Sequence, residues 1–131
     1  MTDLAENLFP FLAADATLAA LVGNRIYPLV RPQNAALPAI TYQRISAPRT
    51  ASHSGDSGLT NPRYQFNCWA STYREARQIA ERLVTVFHGQ RGMMPGIQAG
   101  FVDNDLDDYT SDVREYRAIV DVLLWYQEHL A

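Results

Sequence analysis

From Val113 to Gln127 the chain alternates without a break. Tyr116, Ala118, Val120, Val122, Leu124 and Tyr126 fill the even positions, and Glu115, Arg117, Ile119, Asp121, Leu123 and Trp125 the odd ones. A period of two held this long calls for an extended strand whose successive side chains point to opposite sheet faces. The even face is the core face, because a slip of one residue would expose all of it. A second alternating run, Arg63 to Ala70, sets Tyr64, Phe66 and Cys68 against Gln65, Asn67 and Trp69. Ala39 to Ser46 reads as a third strand and Ile97 to Val102 as a fourth.

Helical spacing takes over elsewhere. Ser71 or Thr72 can cap a helix, with Glu75 at capping-box distance from Thr72, and Ala76, Ile79, Ala80, Leu83, Val84 and Phe87 then form one apolar stripe. Arg74, Glu75, Arg77, Gln78, Glu81 and Arg82 make its charged side, and Gly89 with Gly92 ends it. Near the start, Leu4, Leu8, Phe11 and Leu12 repeat behind a Thr2 or Asp3 cap, with Pro10 expected to kink or break the run. Asp15 can cap a second short helix that stops at Gly23. Pro28, Pro32 and Pro38 make residues 25–38 an extended connector. The expected fold is α+β: a single domain over residues 1–131 with a mainly antiparallel sheet of about four strands. A long helix packs on one face, and short helices lie at the amino-terminal end.

If helices cover only the even face, Ile119, Leu123 and Trp125 lie exposed on the odd one, together with Trp69. Either the amino-terminal helices cover them or another copy of the protein does, since contiguous exposed apolar patches mark partners. Between the first two core strands, residues 47–62 are rich in Ser, Gly, Thr, Asn and Asp, and a stretch of that kind reads as a long flexible loop with a functional role.

Charge narrows the function. The 131 residues carry a net charge of −3, and all 11 positive charges are arginine. A dedicated nucleic-acid binder is more often basic, so specific DNA or RNA binding is disfavoured. No apolar stretch approaches 18 residues, and no basic secretory start is present, so a membrane protein is not expected. One cysteine, Cys68, forms no internal disulfide and falls on the core side of its strand, away from any base that could activate it. His53, His88 and His129 lie on the loop, a helix end and the tail, with no metal or triad spacing among them. Asp103, Asp105, Asp107, Asp108 and Asp112 resemble a calcium loop in part, but Asp108 stands where its glycine belongs and Arg114 where its last glutamate belongs. A solvated connection between two strands explains the run better. No catalytic, metal or cofactor residue is assigned, no cofactor is expected, and the chain reads as no enzyme.

Several strings then fall in a recognisable order. Leu21-Val22-Gly23-Asn24-Arg25-Ile26-Tyr27-Pro28, Leu37-Pro38-Ala39-Ile40-Thr41-Tyr42, Arg63-Tyr64-Gln65-Phe66-Asn67-Cys68-Trp69-Ala70 and the closing Trp125-Tyr126 resemble a family of tail-completion, or tail-terminator, proteins of long-tailed bacteriophages and gene transfer particles. The resemblance implies an α+β virion subunit made in the host cytoplasm. It implies a ring, typically a hexamer, at the head-proximal end of the tail, ending tube growth and joining the head connector. The implied partners are copies of itself, the tail tube protein and the connector or adaptor proteins, with DNA passing through but not specifically bound. The family's mobile loop maps to Arg49 through Asn61. Arg49, His53, Asp56, Leu59, Trp69, Ile119, Leu123 and Trp125 are the candidate interface residues. Asp103 to Asp112 form a candidate acidic channel or surface loop. A head-tail adaptor ring, or a non-viral homo-oligomeric binding module, is the alternative.

Overall fold

The computed structural model describes residues 4–46, 49–52, 55–91 and 97–127. Its helices are α1 (Leu4–Ala13), α2 (Ala16–Val22) and α3 (Tyr73–Phe87). Its strands are β1 (Ile26–Pro28), β2 (Ala39–Ser46), β3 (Arg49–Ser52), β4 (Gly55–Thr60), β5 (Arg63–Ala70), β6 (Ile97–Thr110) and β7 (Glu115–Gln127). They share one sheet, ordered β1-β2-β5-β7-β4-β3, with β6 on the free side of β7. Only β1 and β2 pair in parallel. The α+β class follows the sequence, and β2, β5, β6 and β7 are the four strands read from it.

Local chemistry accounts for the helices. Thr72 Oγ1 accepts the Glu75 N–H at 3.2 Å, and Asp15 Oδ2 accepts the Leu18 N–H at 3.0 Å, so the Asp15 cap forms as expected and Thr72, of the two residues the sequence offers, is the cap of α3. Gly23 and Gly89 take φ of 61° and 72° just beyond α2 and α3, a region that favours a residue without Cβ. Pro10 does not break α1. The helix runs through it, and its carbonyl still accepts the Ala14 N–H at 3.0 Å. Leu8 before it and Leu12 after it are both fully buried, and that packing outweighs one lost hydrogen bond. The proposed Thr2 or Asp3 cap and the Gly92 stop lie outside the described residues.

The core lies between the even sheet face and the helices. Ala76, Ile79, Ala80, Leu83 and Phe87 of α3 are buried against Phe66, Cys68, Val120, Val122 and Leu124. Leu8, Leu12, Leu18 and Val22 extend the same layer from α1 and α2. Among the described residues all three helices therefore clad one face of the sheet, and the other carries no helix.

Three sequence expectations change. Within the connector 25–38, β1 pairs with β2 through Ile26↔Ile40, Tyr27↔Thr41 and Pro28↔Tyr42, because the edge of β2 offers main-chain partners and Ile26 is buried on the core side.

The second change concerns residues 47–62, where the predicted loop holds two strands. Ser46↔Arg63 and Arg49↔Thr60 are three positions apart on each strand, so pairing stays in step from the end of β2/β5 to the start of β3/β4, with register shifts on either side, between Arg44 and Ser46 and between Arg49 and Ala51. β2 and β3 on one rail and β4 and β5 on the other thus make one long hairpin, with Asn61 and Pro62 between β4 and β5. Thr60↔Tyr126 and Arg63↔Leu123 keep a single register along β7 as well, and Pro62 O accepts the Leu124 N–H at 3.0 Å across the break. Polar composition did not prevent pairing because two neighbouring strands already held the register.

The third change is in the acidic run. Asp103, Asp105, Asp107 and Asp108 belong to β6, which pairs with β7 as far as Thr110↔Glu115. Only Asp112 falls in the turn. Aspartate is a poor strand former, and here arginines compensate it.

Candidate functional site

Cross-strand register lays out the helix-free face in rows. Trp69, Arg117 and Asp108 form one, and Thr41, Asn67, Ile119 and Leu106 the next. Gln43, Gln65, Asp121 and Asn104 follow, then Arg63, Leu123 and Phe101, and finally Trp125 with Ala99. Residues directly opposite in a sheet share a face, so Ile119, Leu106, Leu123, Phe101 and Trp125 lie among polar neighbours across four strands.

The sequence places Trp69, Ile119, Leu123 and Trp125 on this face, and the structure brings all four there. Trp125 is 37% exposed, Phe101 41% and Leu106 46%, while Ile119 and Leu123 are half-buried. The amino-terminal helices do not cover them. Trp69 differs, because the chain covers it with its own arginines. Arg31 stacks over its ring at 4.7 Å and Arg117 at 5.1 Å, and its Nε1 donates to Thr41 Oγ1 at 3.0 Å. Arg31 is anchored in turn by Glu115 at 2.6 Å. A cleft of about 520 Å³ opens between Trp69 and residues 29–35. At its rim Leu29 takes φ of 66° while Val30 N–H donates to Pro28 O at 2.8 Å, a strained turn that leaves both side chains exposed.

Of the other interface candidates, Arg49, Asp56 and Leu59 lie on the hairpin, with Leu59 paired through its backbone to Gln127. His53 and His129 lie outside the described residues. His88 stands at the end of α3, where Nδ1 accepts the Val102 N–H at 3.0 Å, a structural role.

The aspartates are paired. Arg77 on α3 bonds Asp105 at 2.8 Å from both Nη atoms and reaches Asp107 at 3.1 Å. Tyr73 donates to Asp107 at 3.0 Å, Arg63 bonds Asp103 at 2.6 Å, and Arg117 bonds Asp108. These hydrogen bonds hold the Arg77 guanidinium above its ordinary range and the Asp108 carboxyl below its own. Among the described residues no group of three His, Cys, Asp or Glu side chains could hold a metal ion. The sequence reading missed the Arg77 contacts, although Asp105 and Asp107 at a spacing of two on one strand face were a visible signal. Cys68 is fully buried, and burial pushes its thiol far above the range in which it would be reactive.

A sheet clad with helices on one side, bare and partly apolar on the other, and prolonged by a hairpin is the build of a structural subunit that associates with other proteins. The chain belongs to the tail completion protein gp17 family, whose model matches residues 6–127. It is thus a structural protein of a phage-type tail, carried in the virion. Its fold is similar to that of a chain in the virion of a native gene transfer agent particle, with 17% identity and a TM-score of 0.75 over 95% of this chain and 94% of that one. A search of curated proteins finds no match.

Proposed function

We propose that the chain assembles into a closed ring, a hexamer, at the head-proximal end of the tail tube, where it stops tube growth and joins the tail to the head connector. The observation that carries this reading is the one-sided cladding of the sheet in a member of a tail completion family. A bare face with Phe101, Leu106 and Trp125 exposed gains from being covered. Contacts of head-to-tail type between identical subunits close into rings when their rotation permits.

The hairpin supports the same reading. Beyond Leu59↔Gln127 its two strands pair only with each other among the described residues. A two-stranded ribbon is marginal by itself in water, and a neighbouring subunit or tube protein would supply what it lacks. DNA would pass through the ring without specific contact, since the chain has a net charge of −3. The role needs no reaction.

Removing the gene and imaging the particles tests the proposal. Overlong tails detached from heads are the expected result, and tails of normal length attached to heads would refute it. Tails of normal length that fail to join heads would point instead to an adaptor ring closer to the capsid.

A further inference from the structure

The helix-free face buries two acceptor oxygens that find no donor. Asn67 is 6% exposed, and its Oδ1 has no hydrogen-bond partner among the described residues. Asp121 Oδ1 also lacks a hydrogen-bond partner, although the Arg63 guanidinium acts on its charge from the same face and Arg117 Nε, on the strand position diagonal to Asn67, is a buried donor in the same state. Asn67 pairs with Ile119 and Gln65 with Asp121, so the two oxygens belong to diagonal neighbours on one face. Ile119 and Leu106 share the row of Asn67, and Leu123 and Phe101 lie in the row beyond Asp121. A buried acceptor left unpaired costs about 1–3 kcal/mol. A group that offers several donors and no acceptor suits this notch, and a guanidinium is the side chain of that kind.

A matching cation stands on the opposite side of the same molecule. Arg74 is exposed in the first turn of α3 and has no carboxylate partner among the described residues. That position is unfavourable twice over, because the positive end of the helix dipole lies there and Arg77 follows three residues later. Tyr73, the preceding residue, is 51% exposed and, with Tyr109 at 47%, packs around the Tyr116 ring on the same layer of the chain. An arginine set among tyrosines is the composition that dominates binding at protein interfaces.

We propose that Arg74 of a second copy docks on the helix-free face between Asn67 and Asp121, with its neighbouring tyrosines over the adjoining apolar side chains. The inference rests on the ring reading and names its contact. Donor patch and receiving notch lie on opposite layers of one chain, so the contact is head-to-tail, and each copy uses both halves.

The test uses assembled particles. Asp121→Arg and Arg74→Asp should each lower incorporation of the protein into tails at least tenfold, and the double charge swap should restore it. Asp121→Asn and Arg74→Gln, which remove charge without adding bulk, should weaken incorporation in the same direction if the reversals fail to fold. Gln65→Cys combined with Arg74→Cys should give a disulfide-linked ladder in multiples of the chain mass, absent from either single variant. Normal incorporation of all charge variants with no ladder would overturn the docking and leave the ring standing, with water as the partner of both oxygens. Absence of the wild-type chain from the tails would overturn both.

Discussion

Arg82 grips Asp15 with both prongs of its guanidinium, Nε to Oδ2 at 2.9 Å and Nη2 to Oδ1 at 2.6 Å, so that the middle of α3 holds the start of α2. The same carboxylate caps α2 through the Leu18 N–H. Asp15→Ala removes cap and ion pair together and should lower unfolding stability by about 2 kcal/mol. Urea titration of the purified chain measures it, and Asp15→Asn, which retains capping ability, should lose less.

Acid should weaken the fold from the carboxylate side. The Arg82 hydrogen bond holds the Asp15 carboxyl below its ordinary value, and the Arg117 hydrogen bond does the same for Asp108. A carboxyl depressed in the folded state stabilises fully above its unfolded value, and that stability is lost as pH falls through the folded one. The melting temperature should hold steady from neutrality to about pH 5 and drop below about pH 4. In Asp15→Asn the drop should be shallower, as a thermal melt series would show.

Phe66 is the centre of the aromatic packing, with ring centroids 5.1 Å from Phe87, 6.0 Å from Tyr42 and 6.5 Å from Tyr64, and it is fully buried. Phe66→Ala should cost about 3–5 kcal/mol, from lost burial plus the cavity left behind. Phe66→Leu should cost well under half of that, and denaturant midpoints at equal slope compare the two.

The hairpin should be separable from the fold. Replacing Ser52 to Gly58 by a two-residue turn keeps Arg49↔Thr60 and every pair of β2 with β5. The shortened chain should melt within a few degrees of the parent yet fail to complete tails. Infectious particles at normal yield from such a deletion would remove the hairpin from the assembly mechanism.

How much of this was legible in the sequence depends on how local each cause was. The alternation of β5 and β7, the α3 stripe and the Thr72 and Asp15 caps depend on residues a few positions apart, and they were read correctly. The paired hairpin was not, because Pro48, Pro62 and the glycines between them oppose strand structure locally while the stabilising register comes from β5 and β7. Asp103 to Asp108 hid a strand for a related reason: their compensation by Arg63, Arg77 and Arg117 spans other elements. That Ile119, Leu123 and Trp125 share the odd face was legible, but that the amino-terminal helices leave it uncovered was not, because the side on which α1 and α2 pack is set by contacts distant in sequence. The Arg31 cover over Trp69 was not, as it arises from a connector with no periodicity.

One register runs unbroken along β7, from Ala70↔Tyr116 through Arg63↔Leu123 to Leu59↔Gln127. A residue gained or lost between β4 and β5 alone would break that step and turn one of the two strands over against β7. Relatives should therefore keep the length of the β4-to-β5 connection, while the hairpin, whose own pairing already shifts between Arg49 and Ala51, absorbs insertions and deletions.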